Sequence, residues 1–203
     1  MISAGFRFGE RAFLRLRRLA GRLAEAEQVL CIVNTRKRAQ QVYESLPEEG
    51  RFHLSTLMIP TDREETLNVI RARLRNGQVC RVVSTSLVEA GVDVDFPSVW
   101  RELAGLDSIL QAAGRCNREG KRSAAESVVH VFEAEGTPPH SMMQQREATT
   151  KVMGEFEEIN TRPATRAYFN RLLWVKGDDA LDAEQILNSE RACTFRKTAE
   201  AFA

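Results

Sequence analysis

The stretch Gln111-Ala112-Ala113-Gly114-Arg115-Cys116-Asn117-Arg118 follows, after a short interval, Ser84-Thr85-Ser86-Leu87-Val88-Glu89-Ala90-Gly91-Val92-Asp93. Two arginines three apart, just past a glycine and preceded by a glutamine, can aim two planar guanidinium groups at one polyanion. Guanidinium is always charged and forks bidentately onto phosphate oxygens, so a triphosphate is the obvious ligand class. The pattern predicts a helix over Ser108 to Cys116, and on its continuation Arg115 and Arg118 share a face. By itself an R-x-x-R pair reads as a solvated surface. Its weight comes from the combination Q-x-x-G-R-x-x-R after a G-x-D segment, inside an α/β pattern. Gly91 can take a backbone shape closed to other residues. Asp93 is a carboxylate able to couple to a nucleotide or to an arginine across a cleft. Ser84, Thr85 and Ser86 put hydroxyls and N–H groups where a nucleic-acid phosphate can sit, although such residues are equally common helix N-caps.

Working outward, apolar runs alternate with helical periodicity. Residues 10–26 read as a helix with Phe13, Leu16, Ala20 and Leu23 on one face. Arg11, Arg15, Arg18 and Arg22 form a stripe opposite. That stripe reads as a solvated face; a phosphate-tracking or docking stripe is the sharper alternative, which no other feature favours. Val29 to Val33 is continuously apolar, as a parallel strand covered on both faces requires. Asn34-Thr35 then caps a helix over Arg36 to Leu46, and Pro47 to Gly50 breaks it. His53 to Ile59 reads as a strand. Pro60-Thr61-Asp62 opens a helix through Arg75, with Leu67, Ile70 and Leu74 inward and Asn76-Gly77 as its stop. Val79 to Thr85 and Ser98 to Arg101 are further strands, and Val128 to Phe132 closes the sheet.

This alternation predicts an α/β fold: a doubly wound parallel sheet flanked by helices, with ligands gathering at the carboxyl ends of the strands, where Thr35 and Thr85 fall. The organisation expected is an N-terminal helix over 1–26, the α/β lobe over 27–135, a linker over 136–141 signalled by Gly136-Thr137-Pro138-Pro139, and a helical extension over 142–203. In that extension Tyr168, Phe169, Leu172, Leu173 and Trp174 form an apolar anchor.

At 203 residues, with 43% hydrophobic and 28% charged residues, the chain has material for a core and is not of the disordered class. A net charge of +1 selects no partner, although the first forty residues are basic while Glu133 to Glu135 and Glu155 to Glu158 are acidic. No apolar run approaches the roughly 20 residues that span a bilayer. The arginine-rich start lacks the hydrophobic stretch of a signal peptide. No membrane association and a cytoplasmic location are expected. Cys31, Cys80, Cys116 and Cys193 stand far apart, without the paired ligands that structural zinc needs; Cys31 and Cys80 read as buried reduced thiols, and no metal or disulfide is assigned.

The two opening blocks resemble motifs V and VI of the second RecA-like lobe of superfamily 2 helicases. Val33-Asn34-Thr35, the Ser84 to Asp93 block and the Gln111 to Arg118 block are similar to the CRISPR-associated helicase-nuclease of type I interference systems, a family that ends motif VI in Asn-Arg rather than Gly-Arg. Leu54-Ser55-Thr56-Leu57-Met58-Ile59-Pro60 with Arg63, and the stretch from Tyr168 to Trp174, also look like that family. The resemblance spans about residues 28 to 200. One departure is Ala112, where most superfamily 2 proteins carry another arginine; it removes one possible charge contact.

The resemblance implies a RecA-like fold that supplies motifs IV to VI. It implies that Gly91, Asp93, Gln111, Arg115 and Arg118 line an ATP site. There Arg118, with Arg115, acts as an arginine finger, a device worth about 10³–10⁵ in rate, and Gln111 orients the phosphate or the attacking water. Thr35, Ser84 and Thr85 are the implied nucleic-acid contacts. The cofactors implied are ATP with Mg2+, both held mainly by a first lobe. The whole protein would move 3′ to 5′ along single-stranded DNA and be recruited by an RNA-guided surveillance complex. A separate HD nuclease domain would cut the DNA.

This sequence has no G-x-x-x-x-G-K-[ST]: the nearest approach, Gly114 to Lys121, is one residue too long and has Arg122 where the hydroxyl belongs. It has neither a D-E-x-H box nor a paired His-Asp. Taken by itself, the chain is expected not to hydrolyse ATP. It stops within a helix-like segment, Thr194 to Ala203, as a fragment or truncated product would. Two alternatives stay open. The second lobe of another superfamily 2 motor, such as an RNA helicase, would prefer RNA. A standalone docking or regulatory module would keep its partner after loss of both Arg115 and Arg118.

Overall fold

In a computed structural model of the chain, the structure describes residues 6–9, 12–86 and 92–181, with the side chains of 175–181 left aside. By contact, the chain divides into two compact units, residues 1–146 and 147–203. The first unit contains strands β1 (Arg7–Phe8) and β2 (Ala12–Leu14), helix α1 (Leu16–Glu25), β3 (Gln28–Ile32), α2 (Arg36–Glu44), β4 (Arg51–Leu54) and α3 (Pro60–Arg75). It continues with β5 (Cys80–Ser84), β6 (Ser98–Glu102), α4 (Leu106–Ala113) and β7 (Val128–Ala134). Among the described residues seven strands form one sheet of order β1-β7-β6-β3-β5-β4, with β2 also on β7, and these strands pair in parallel.

The sheet is covered on both faces because alternate residues of its strands are apolar on both. Leu30 and Ile32 of β3 join Leu67 and Ile70 of α3 and Ala112 and Ala113 of α4 in one buried layer. Val29, Cys31 and Val33 join Leu19 and Leu23 of α1 and Ala39 and Val42 of α2 in the other. Cys31 and Cys80 lie in these layers as buried thiols, in keeping with their apolar runs. Glycine serves the predicted stops at two places. Gly50, at φ +68°, ends the break before β4, where an added Cβ would lie 2.3 Å from the Val79 carbonyl oxygen. Gly77, at φ +66°, follows the α3 cap at Asn76.

Outside the arginine block, the structure corrects three local expectations. The helix expected over 10–26 runs only from Leu16 to Glu25, and Ala12 to Leu14 pair with Phe132 to Ala134. The spacing of Phe13 suits a helix, but Ala12 and Leu14 also alternate, and β7 would otherwise present an unpaired edge. Phe13 is accordingly 65% exposed. The strand expected over His53 to Ile59 ends at Leu54, because Ser55 closes a turn: its carbonyl accepts the Met58 N–H at 3.1 Å and its hydroxyl the Leu57 N–H at 3.3 Å. In the second unit, where α5 (Met143–Glu155) continues and α6 spans Arg162–Leu181, the apolar anchor reduces to one inward row. Ala164 and Tyr168 are buried at a spacing of four, whereas Trp174 falls off that row and is 87% exposed. Between β7 and α5, in the stretch expected to be a linker, His140–Met142 form a 3₁₀ turn.

At the carboxyl end of β6 the sheet buries charge. Arg101 and Glu102 are each 1% exposed. One carboxylate oxygen of Glu102 accepts the Asn34 N–H at 2.9 Å, and the other pairs with the Arg38 guanidinium. Arg101 Nη1 donates to Asn34 Oδ1 at 2.7 Å, and Asn34 Nδ2 donates to the Leu103 carbonyl at 2.9 Å. Removing one partner of such a buried set leaves the others without compensation, which costs about 3–5 kcal/mol. Urea denaturation of Glu102→Ala should therefore show a loss of about that size, against under 1 kcal/mol, roughly, for an exposed pair.

His130 of β7 stacks on Trp100 at 4.1 Å between ring centres. Burial pushes its pKa down, and Arg7 and Arg22 push the same way; burial alone lowers that of His53. The unfolded chain takes up a proton near 6.5, whereas the folded chain does so only at lower pH. Stability from these groups is complete above that value and is lost as pH falls through the folded pKa. The melting temperature should drop between about pH 7 and pH 5.5, and His130→Phe should flatten part of that slope.

Candidate nucleotide and nucleic-acid faces

Because the strands are parallel, the ends of β3, β5 and β4 lie side by side along one edge of the sheet. Thr35 sits there as the N-cap of α2, its hydroxyl accepting the Arg38 N–H at 3.2 Å. Glu102 and Arg101 hold its neighbour Asn34, so the whole turn is fixed from β6. Arg36 and Lys37 follow, both exposed. Thr85 stands at the neighbouring strand end and is 8% exposed. Ser84, just before it, is fully buried, and its hydroxyl donates to the Leu54 carbonyl at 3.1 Å. That hydroxyl ties β5 to β4.

The arginine block lies at the opposite end of the sheet. Helix α4 stops at Ala113, and the chain then crosses the residues that lead into β6. The Phe96 N–H donates to the Arg115 carbonyl at 2.9 Å and the Asn117 N–H to the Phe96 carbonyl at 3.0 Å, an isolated parallel bridge centred on Phe96 and Cys116. The expected helix to Cys116 is thus corrected. Gly114 ends it, and Phe96 and Cys116, both buried, draw the chain into the core instead. Arg115 and Arg118 project from a bridged turn and not from a helix face. Arg115 is half-buried, and Gln111 is exposed on the last turn of α4. Ala112 is fully buried, so a larger side chain there would have to displace core packing. Gly91 lies outside the described residues.

Two aspartates organise this turn. Asp95 Oδ1 accepts the Arg118 N–H at 2.7 Å, and its Oδ2 lies 3.0 Å from Arg122 Nη1. Asp93 Oδ1 lies 3.1 Å from Arg118 Nε, and the Asp93 carbonyl accepts from Arg71 Nε at 3.0 Å. Arg118 is 42% and Asp93 76% exposed, so their pair contributes roughly 0–1 kcal/mol and exchanges easily for a stronger anion. Asn117 has φ +49°, a left-handed conformation that glycine and asparagine tolerate best. Its side chain accepts the Arg122 N–H at 2.9 Å and donates to the Arg122 carbonyl at 2.7 Å. The Asn-Arg ending of the motif therefore keeps the backbone shape a glycine would allow and adds a closed loop from 117 to 122. Burial pushes the Cys116 thiol up to about 12, with Asp95 adding to the rise and Arg122 opposing it, so this thiol stays protonated.

The structure thus unites Asp93 with Arg118 and sets Thr35 and Thr85 apart from both. The sequence motifs gave no site role to Asp95, Arg122, Arg101 or Glu102. Their signals were slight: a second aspartate two residues after Asp93, and two charges ending an apolar strand.

Residues 25–121 match the family model described as CRISPR-associated nuclease/helicase Cas3, C-terminal. The CRISPR-associated helicase Cas3 of Thermoproteus tenax is 28% identical over 137 residues, covering 63% of this chain and 24% of that protein. The CRISPR-associated nuclease/helicase Cas3 of Haloferax volcanii is 52% identical over 50 residues, 24% of this chain and 5% of that protein. The chain therefore spans about a quarter or less of these relatives. Among solved structures, T. fusca Cas3-ATP superposes with a TM-score of 0.62 at 17% identity, over 96% of this chain and 26% of that one, which shows the RecA-like fold. In sequence over residues 25–121 and in fold over nearly its whole length, the chain matches the C-terminal, second RecA-like helicase lobe of CRISPR-associated Cas3 nuclease/helicases.

Proposed function

We propose that this chain acts as half of an ATP-driven single-stranded DNA translocase, completing an ATP site with Arg115 and Arg118 and half of a DNA track with Thr35 and Thr85. The observation that carries this reading is the Arg118 turn: its amide is held by Asp95 at 2.7 Å while its guanidinium rests on the weakly bound, exposed Asp93. A side chain anchored at its base and loosely held at its tip is suited to reaching a newly arrived anion.

The donor set fits the phosphate end of a nucleotide. Arg115 and Arg118 offer permanent charge and bidentate geometry, and exposed Gln111 offers an amide able to orient a phosphate or a water. ATP, when bound, supplies the phosphoryl group whose transfer to water builds up negative charge. Arg118, helped by Arg115, neutralises that charge, and Asp93 releases it to do so. Mg2+, which accompanies ATP, is assigned with it mainly to a first lobe, as the resemblance to superfamily 2 helicases implies. Thr35 and Thr85, with Arg36 and Lys37 beside them, would meet the DNA through its phosphates, and such contacts carry little sequence preference. A first RecA-like lobe, an HD nuclease domain and an RNA-guided surveillance complex are the partners this reading requires.

The chain alone should show no ATP hydrolysis with or without single-stranded DNA, and DNA-stimulated turnover should appear when a first RecA-like lobe of the family is added. Arg118→Ala should lower that turnover by about 10³-fold or more while DNA binding without nucleotide persists. Near-normal hydrolysis by this variant would remove Arg118 from its role. Silence on mixing two folded pieces would instead favour a docking module.

A further inference from the structure

We infer that Asp95 is the positioning residue of the arginine turn, holding the base of Arg118 so that its guanidinium can be presented to a nucleotide phosphate. The inference rests on the finger reading of Arg118 and goes beyond it, since it assigns a role to a residue outside both arginines. Asp95 has the geometry for this. Its two oxygens face two different parts of the same loop, the Arg118 N–H at 2.7 Å and Arg122 Nη1 at 3.0 Å. Its side chain is only 12% exposed, so water competes poorly for those oxygens and both bonds are charge-assisted.

Asp95 also stands directly before Phe96, whose backbone bridges Arg115 and Asn117. The carboxylate and the bridge therefore move as one piece. Asn117 closes the far side by gripping both backbone polar groups of Arg122. A loop of six residues, 117–122, is thus locked at its first residue by Asn117, at its second by the Asp95–amide bond and at its last by the Asp95–Arg122 pair. Arg118 leaves this loop with its backbone fixed and its tip free to exchange Asp93 for phosphate. A misplacement of about 1 Å can reduce an oriented reaction roughly 10²-fold, so a carboxylate that touches no reactant can still govern turnover.

The first test needs no turnover. Hydrogen exchange is measured along the 203-residue chain for wild type, Asp95→Ala and Asp95→Asn. In Asp95→Ala the amides of residues 117–122 should exchange at least about ten times faster while β3, β5 and β6 stay protected. Asp95→Asn keeps an acceptor for the Arg118 N–H and should loosen Arg122 more than Arg118, which also covers the case of an Asp95→Ala chain that does not fold. Unchanged exchange over 117–122 in both variants overturns the inference. The second test uses the chain combined with a first RecA-like lobe. Asp95→Ala should lower kcat about 10²-fold with little change in KM for ATP, and should cause no further loss in an Arg118→Ala background. Normal turnover in Asp95→Ala beside a dead Arg118→Ala defeats the positioning role alone. Normal turnover in Arg118→Ala defeats the finger reading, whatever the exchange data show.

Discussion

An interior parallel strand meets no hairpin at either end, so its ends must be fixed by side chains and by the loops that arrive there. In this lobe β6 lies between β7 and β3, and its ends are fixed by charge. At the carboxyl end Glu102 and Arg101 grip Asn34 and Arg38, and so fix the Thr35 turn. At the amino approach Asp95 grips Arg118 and Arg122, while Phe96 bridges Arg115 and Asn117. The two faces assigned to DNA and to nucleotide are thus held from opposite ends of one five-residue strand.

This arrangement separates precision from affinity. The groups that set geometry, Glu102, Arg101 and Asp95, are buried or nearly so, where a lost partner is expensive and exchange with solvent is slow. The groups that would meet ligands, Arg118, Arg36 and Lys37, are exposed, with weak partners or open surface around them. The proposed motor role would gain from that division, because its contacts would form and release with each cycle while their origin stays fixed. In the proposed reading, the weak Asp93–Arg118 pair holds the guanidinium in place without competing strongly with a phosphate.

The layout of strands and helices was legible because apolar runs such as Val29 to Val33 and the row Leu67, Ile70 follow the periods of buried strands and amphipathic helices. The Thr35 cap and the Asn76-Gly77 stop were legible because each depends on chemistry local to the chain. Failures arose where distant pairing decided the outcome. Ala12 to Leu14 became strand because β7 had an open edge, and the α4 pattern ended early because Phe96, far back in the chain, took the hydrogen bonds at Arg115 and Asn117. The hydrogen bond from the Ser84 hydroxyl to the Leu54 carbonyl likewise depends on a strand thirty residues away and was not legible in the sequence. In the candidate site, Arg115 and Arg118 were readable as a motif, whereas Asp95, which holds the Arg118 amide, was not, since a carboxylate in a loop carries no periodic signal.

The most direct measurement is hydrogen exchange on this chain paired with a first RecA-like lobe, taken once with a thymidine oligonucleotide alone and once with a non-hydrolysable ATP analogue alone. The account requires the oligonucleotide to slow exchange around Thr35 and Thr85 and the analogue to slow it over residues 115–122, each leaving the other end of β6 nearly unchanged. Protection of the arginine turn by the oligonucleotide, with the strand-end threonines unaffected, would contradict the assignment of the two faces.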